Sequence, residues 1–353
     1  MDIQIHLSFL PFLLYIIYYI LYLMKTLGVL IETEDEPVSK KYYLKNKNSL
    51  QFLKEYGIYM DYIPYDYAIF AEIKKQGEKK GINVIPLFGN NLTLKECNQC
   101  DSIFCIFEGV YAFMNGGYDQ YNNYMNIIKK TKAKVFPSQK MQQFVINKHQ
   151  YLSYFKKKGY DIAPTSFINL DKVNLKTIMN FIKKHKLEKI VVKPELGAFK
   201  KGFTIIQKPT EKKLTKLFNQ LKKKEYKRIL LQPFLEEFNK FGEIKTYWIN
   251  GKHLYSYKQK WDKGDGIFET QEAIDPDLLE ECHKTAEKLL KDIFKDHEKL
   301  IQCRVDFACC INNDSRCREF FINEIEICPT IPEQESRGHG YVPLAEAVIK
   351  SCV

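Results

Sequence analysis

Short apolar runs alternate with amphipathic stretches in the first third of the chain. The stretch 68–80 has a helical pattern and ends at Gly81, a residue typical of a helix terminus. Because strands that alternate with helices usually form a parallel sheet, this pattern predicts an α/β domain over residues 25–137. The predicted strands of this domain are Leu27–Ile31, Ile82–Phe88 and Ser102–Phe107.

From residue 138 onward the pattern changes to helices set between groups of strands, which predicts an α+β arrangement. Asn250-Gly251 is a strong hairpin signal between two of these strands. We divide this half into a small subdomain, 138–228, and a large subdomain, 229–353. The predicted helices are 138–158, 212–223 and 278–294, and the predicted strands are 190–193, 204–207, 229–233, 243–249, 253–260, 303–311 and 320–327.

Residues 7–24 are almost wholly apolar, and this length is sufficient to span a bilayer. Lysines follow the segment and none precedes it, so the positive-inside rule predicts a membrane anchor with the body of the protein in the cytoplasm. The alternative is that Met24 is the true start and that 1–24 is an upstream extension. Both interpretations stay open.

The composition excludes some classes of function. With 353 residues and 45% apolar content the chain can bury a large core, and its net charge of +11 suits an anionic ligand. A nucleic-acid partner is not favoured, because no recognition motif accompanies the charge. Cys97 and Cys100 form one CxxC pair without a second pair at zinc-finger spacing, so a zinc site is not favoured either.

Two segments have features of a nucleotide site. Lys193 ends a buried strand and precedes a loop, Gly197–Gly202, whose small residues would let backbone N–H groups approach a phosphate. Further on, Gln232–Leu235 ends a buried strand that could hold an adenine on its backbone, and Glu243 could accept bonds from ribose hydroxyls. Alone, the first segment is better explained as a solvated hairpin with a surface lysine. The alternative for the second is a strand with a polar end.

The strongest signal is a set of carboxylates on two neighbouring predicted strands. Strand alternation places Arg304 and Asp306 on one face of their strand, and Glu324 and Glu326 on one face of the next. Carboxylates gathered in an apolar sheet repel one another unless a cation lies among them, and Mg²⁺ prefers such oxygen ligands. The alternative is an exposed face with paired charges, but the flanking residues are too apolar for it.

The order of these motifs resembles the ATP-grasp superfamily, and most closely its D-alanine–D-alanine ligase branch. The likeness covers about residues 27–350 and is clearest from Asn147 onward. The resemblance implies an ATP-grasp fold behind an N-terminal pre-ATP-grasp domain. The resemblance implies that the ATP phosphates contact Lys148, Lys193, Lys260 and a loop containing Gly197, Lys201 and Gly202. It implies that the adenine contacts Gln232, Pro233, Phe234 and Leu235, and that the ribose contacts Glu243. It also implies an oxyanion contact from Arg304 and two Mg²⁺ ions held by Asp306, Glu324 and Glu326.

The resemblance further implies an enzyme that uses ATP to join a small-molecule acid to an amine through an acylphosphate, and a homodimer as one expected assembly. Glu326 stands where these ligases usually have Asn, and Gly340 where D-alanine ligases have a substrate-contacting Ser. These departures leave the two substrates open. The alternative is an ATP-grasp kinase that phosphorylates a small polyol or inositol phosphate. Lys245 and the basic loop Gly197–Gly202 slightly favour this alternative.

Overall fold

The chain was analysed as a computed structural model, which describes residues 25–32, 51, 54, 64–107, 109–197, 201–236, 241–262, 265–269, 274–311, 318–327 and 341–352. The predicted anchor, 7–24, lies outside these residues, and so does most of the segment 333–341 that contains Gly340. In the part of the chain that is described, no helix is both long and apolar enough to cross a membrane.

The first domain contains the predicted parallel sheet, in the order β2-β1-β3-β4. Its central strand is fully buried, as expected for a sheet covered by helices. The observed bounds agree with the predicted ones to within a few residues. The elements are β1 (Thr26–Ile31), α1 (Tyr65–Glu78), β2 (Asn83–Phe88), α2 (Leu94–Cys97), β3 (Ser102–Cys105), α3 (Gly109–Lys130) and β4 (Lys134–Phe136).

The single helix predicted over 138–158 is two helices, α4 (Gln139–Ile146) and α5 (Lys148–Lys157). Asn147 separates them with extended backbone angles, and its side-chain oxygen accepts a bond of 3.0 Å from the N–H of Gln150. Asparagine is a strong N-cap because this bond satisfies a free helical donor. The break makes Lys148 the first residue of α5.

The second sheet is antiparallel, in the order β5-β8-β6-β7, and the apolar sides of two amphipathic helices cover one of its faces. Strand β8 pairs with β5 and β6, although the predicted subdomain boundary at 228/229 assigns it to the large subdomain. The elements are β5 (Ser166–Asn169), α6 (Leu175–Lys184), β6 (Lys189–Pro194), β7 (Thr204–Gln207), α7 (Glu211–Lys223) and β8 (Arg228–Pro233).

The third sheet is also antiparallel, in the order β11-β10-β9-β12-β13. The predicted hairpin turn is confirmed, since Asn250 and Gly251 have φ of 51° and 76°. The C-terminal helix packs on α1 and joins the core of the first domain. The elements are β9 (Glu243–Ile249), β10 (Lys252–Asp262), β11 (Asp265–Glu269), α8 (Pro276–Asp296), β12 (Gln302–Ile311), β13 (Arg318–Glu326) and α9 (Val342–Cys352).

The two faces of the third sheet differ in composition. The helix face packs on α8 and consists of Ile244, Thr246, Trp248, Val305 and Phe307 together with isoleucines of β13. The opposite, charged face carries Glu243, Lys245, Arg304, Asp306, Glu324 and Glu326.

A β-bulge interrupts the pairing of β12 with β13. Asp306 pairs with Glu324 but Phe307 pairs with Ile322, so Asn323 is an extra residue. Ile322 and Ile325 therefore both reach the helix-face core although they lie three residues apart. The bulge leaves Glu324 and Glu326 together on the charged face.

Candidate active site

The centre of the charged face is a buried carboxylate held by two cations. The guanidinium of Arg304 donates two bonds to Asp306, of 2.7 and 2.9 Å, and the Lys245 ammonium lies 2.6 Å from an Asp306 oxygen. Although burial alone would raise the pKa of Asp306, Arg304 and Lys245 lower it below its usual range. Burial and Arg304 would lower the pKa of Lys245, but Asp306 and Glu243 outweigh them and raise it.

Two further carboxylates lie beside this centre. Glu324 forms an ion pair with Lys148, and Glu326 lies 2.7 Å from the Arg304 guanidinium. Burial would raise the pKa of Glu324, but the Lys148 ammonium outweighs it and lowers that pKa. Burial raises the pKa of Glu326, and repulsion from its two acidic neighbours adds to this against the attraction of Arg304. The two glutamates are thus electrostatically unequal.

Two further cations lie near Glu324: Lys193, the residue before the end of β6, and Lys148, the first residue of α5. The space between these lysines and the charged face is called the cleft below. Burial lowers the pKa of Lys193, and the charge of Lys148 acts in the same direction while Glu324 opposes it. Two neighbouring ammonium groups beside a carboxylate form a pocket that favours an anion such as a phosphate.

The carboxylates fit a divalent metal by type and spacing. One ligand oxygen from each of Asp306, Glu324 and Glu326 lies within 4.8 Å of the others, and hard oxygen ligands suit Mg²⁺. A metal is not the only positive charge available to offset the repulsion among these carboxylates. Protein cations, namely Lys148, Lys245 and Arg304, already pair with all three.

Glu243 is fixed in place at the edge of the cluster. Its carboxylate lies 3.3 Å from the Lys245 ammonium and accepts a bond from the side chain of Asn323. The preceding Gly242 has φ of 75°, and a Cβ there would lie 2.2 Å from the carbonyl oxygen of Gln259. Only glycine tolerates both constraints, so the strand that carries Glu243 can approach β10 closely.

The predicted adenine segment, Gln232–Leu235, covers the end of β8 and the residues after it. The Gln232 amide donates to Thr165 Oγ1 at 2.9 Å, which fixes its side chain. The ammonium of Lys189 lies 3.5 Å from the centre of the Phe234 ring, a cation–π contact. Pro233 ends the strand, and Leu235 is half-buried beyond it.

The predicted phosphate loop is described only at its two ends, because residues 198–200 lie outside the described chain. Gly202 has φ of 75°, and a Cβ there would lie 2.5 Å from the ring of Pro194. The backbone at Gly202 therefore lies close against Pro194 at the end of β6. Gly197 is half-buried and Lys201 is exposed, so both can meet a ligand from solution.

Lys260, the predicted γ-phosphate contact, lies near the end of β10. Gln259 pairs with Glu243 and Tyr257 pairs with Lys245, so these β10 residues share the charged face with their partners. Strict alternation would place Lys260 on the other face of β10. Its contact with the γ-phosphate stays a prediction.

Sequence reasoning missed three residues of the cluster. Lys245 was noted only for the kinase alternative, although alternation from Glu243 would have placed it on the charged face. Asn323 reaches Glu243 only because of the bulge. Tyr151 of α5 is buried, and burial together with the nearby Glu324 raises its pKa well above the usual value. No sequence signal identifies the latter two.

Comparisons with known proteins bear on the fold. Neither a protein-family model nor a curated protein sequence matches the chain. Among solved structures, the D-cycloserine synthetase DcsG superposes with a TM-score of 0.65 at 13% identity, covering 93% of this chain and 100% of that one. D-alanine–D-alanine ligase from Bacillus anthracis complexed with ATP gives 0.60 at 13% identity, covering 93% and 97%.

Two further solved structures show the same likeness. An ADP complex of N5-carboxyaminoimidazole ribonucleotide synthetase gives a TM-score of 0.57 at 13% identity, covering 92% of this chain and 77% of that one. A RimK domain ATP-grasp protein from Sphaerobacter thermophilus gives 0.55 at 8% identity, covering 93% and 99%. Since these likenesses extend over nearly the whole chain, the protein has an ATP-grasp fold, related to that of the D-alanine–D-alanine ligase branch.

Proposed function

We propose that the protein is an ATP- and Mg²⁺-dependent ligase that joins a small-molecule carboxylate to an amine and forms a C–N bond. The observation that supports this most is the arrangement at the charged face: the carboxylates of Asp306, Glu324 and Glu326 lie together, with Lys148 of α5 and Lys193 of β6 beside Glu324. An ATP phosphate chain with its metal has the complementary charges. Three of the structural neighbours named above are ligases or synthetases, and two of these structures contain ATP or ADP.

In this proposal each end of the cleft has a separate role. Lys148 and Lys193 hold the phosphates, and the loop Gly197–Gly202, with Lys201, covers them. The segment Gln232–Leu235 receives the adenine, and the fixed carboxylate of Glu243 accepts the ribose hydroxyls. Glu324 and Glu326, with Asp306 behind them, would hold the metal, which when bound neutralises charge on the transferred phosphate.

The reaction follows the chemistry of acyl transfer. A carboxylate oxygen of the acid substrate attacks the γ-phosphorus and forms an acylphosphate, while ADP leaves. The amine nitrogen then attacks the acyl carbon, loses a proton, and phosphate departs. Arg304 lies at the centre of the cluster, held by two bonds from its guanidinium to Asp306, and can stabilise the oxyanion of this second step. Such a contribution amounts to about a hundredfold or more in rate.

The deciding experiment measures free phosphate released from Mg-ATP with pools of amino acids, peptides and polyamines. We expect release that needs both an acid and an amine, and a coupled product whose mass shows loss of water. Glu324→Gln should abolish release. Glu280→Gln, which removes an exposed charge from α8, is the matched control and should leave release unchanged. Nucleotide binding without turnover in any pool would contradict the proposal.

The same experiment separates the kinase alternative, since a kinase would form ADP and a phosphorylated product without free phosphate. The structure does not strengthen that alternative. Lys245, which favoured it in the sequence, is only 6% exposed and is already bound to Asp306 and Glu243. Its place among these carboxylates suits either reaction and does not favour the kinase.

A further inference from the structure

Lys245 is a cation placed inside a candidate metal site. It lies on β9, and β12 carries Asp306 directly opposite it in the sheet. Its ammonium is 2.6 Å from Asp306 and 3.3 Å from Glu243. Its side chain is only 7% exposed, so it cannot move into solvent when another cation arrives. Lys245 is therefore a fixed part of the cluster.

The cations of the cluster differ in how easily they can leave. Lys148 lies at the start of α5 with 18% of its side chain exposed, so it can release Glu324 and turn toward a phosphate. Arg304 is 8% exposed and holds Asp306 with two bonds. The charge on Asp306 is therefore offset permanently, whereas the charge on Glu324 is offset by an exchangeable partner.

The carboxylates differ in the same way. The side chain of Asp306 is 1% exposed, and one of its oxygens accepts from both Arg304 and Lys245. The side chains of Glu324 and Glu326 are 27% and 31% exposed and face the cleft. A metal that enters the cleft therefore meets the two glutamates first. Beside Asp306 it meets an ammonium and a guanidinium, whose charges repel it.

We propose that the site takes one divalent cation, held by Glu324 and Glu326, and that the Lys245 ammonium replaces the second metal implied by the resemblance. Asp306 is then a positioning residue for Arg304 rather than a metal ligand. The inference rests on the proposed function, because it concerns the metal that accompanies ATP. It differs from that proposal in fixing the number of metals and the ligands that hold them.

The test counts metals directly. The full-length chain is titrated with Mn²⁺ in the presence of adenylyl imidodiphosphate, and free Mn²⁺ is followed by electron paramagnetic resonance. We expect one bound Mn²⁺ per chain in the wild type and in Lys245→Arg, and a second in Lys245→Met, where Asp306 keeps its bonds to Arg304 but loses the Lys245 ammonium. Lys252→Met removes an exposed lysine from the start of β10 and should leave the count at one.

A second pair of variants tests the ligands if Lys245→Met does not fold. Asp306→Asn should keep Mn²⁺ affinity within about threefold while turnover falls, and Glu324→Gln should lower that affinity at least tenfold. Binding of two Mn²⁺ to the wild type would overturn the inference and leave the ligase proposal intact. A loss of Mn²⁺ affinity in Asp306→Asn equal to the loss in Glu324→Gln would do the same. Absence of nucleotide binding would overturn both.

Discussion

The two faces of the third sheet are built from the same strands, yet they carry opposite kinds of residue. Along β12, Val305 and Phe307 are fully buried against α8, while their neighbours Arg304 and Asp306 face the cleft. The helix face removes apolar surface from water, which stabilises the fold. The charged face places ions where desolvation is costly, so its composition is explained by binding rather than by stability. Substitutions on the two faces should therefore fail in different ways.

The largest effect is expected from Glu324→Gln on the charged face. Since this carboxylate is placed to hold the metal and to orient Lys148, turnover should fall about a thousandfold, corresponding to about 4 kcal/mol of barrier. Phosphate release measures it, and circular dichroism should show a thermal midpoint near that of the wild type. If Glu324→Gln kept its activity within tenfold of the wild type, the charged face would not be specialised for binding as opposed to stability.

On the helix face, Phe307→Ala should act on stability. The ring is fully buried and packs edge-on against Phe320, with ring centres 5.7 Å apart. Its removal leaves a cavity, which should cost about 3–5 kcal/mol of unfolding free energy, measured by urea denaturation. Ile205→Ala is the control, because that side chain is 43% exposed and its loss leaves no cavity. An equal cost for both variants would show that the helix face is not a close-packed core.

A smaller loss is expected from Thr246→Val, which keeps the shape of the helix face but removes a hydroxyl. That hydroxyl donates to the carbonyl of Val305 at 3.0 Å and accepts from the indole of Trp248 at 2.8 Å. The buried indole N–H would lose its partner, at a cost of about 1–3 kcal/mol in urea denaturation. Thr215→Val on the exposed side of α7 is the matched control. Nucleotide affinity should not change in either variant.

The effect that is smallest at neutral pH, and grows on acidification, concerns a polar pair beside the helix face. His253 and His283 both contact the Ser256 hydroxyl, at 2.9 and 2.8 Å. Burial and the adjacent His283 lower the pKa of His253 to about 4 from its usual 6.5. Between these values the unfolded chain binds a proton that the folded chain does not, so stability falls as pH falls from 6.5 to 4. In His253→Gln the thermal midpoint should fall less over this range; an unchanged pH dependence would contradict the assignment.

The sequence alone predicted the parts of the molecule that depend on local pattern. Alternation within β12 and β13 placed Asp306, Glu324 and Glu326 on common faces, and the structure brings them within 4.8 Å. Apolar periodicity predicted the parallel sheet of the first domain. The Asn-Gly dipeptide predicted the turn at Asn250-Gly251. These features are set by residues close together in the chain, so one sequence is sufficient to find them.

Features that depend on distant pairing were not predicted. Lys245 contacts Asp306 from 61 residues away, and its role depends on the register between β9 and β12. The face on which Lys260 lies likewise depends on the register between β9 and β10, because a shift of one residue along β10 moves a side chain to the opposite face. The bulge at Asn323 and the helix break at Asn147 were missed for a different reason. Both follow from local backbone geometry, which the spacing of apolar residues does not encode.

The ion pair between Lys148 and Glu324 has a consequence for the way ligands would assemble in the cleft. A nucleotide that recruits Lys148 alone would leave a buried carboxylate uncompensated, and a metal that recruits Glu324 alone would leave an ammonium uncompensated. When both bind together, each released partner gains a new one. Under the proposed function, metal and nucleotide are therefore linked ligands with a favourable coupling free energy, and each should tighten the binding of the other by the same factor.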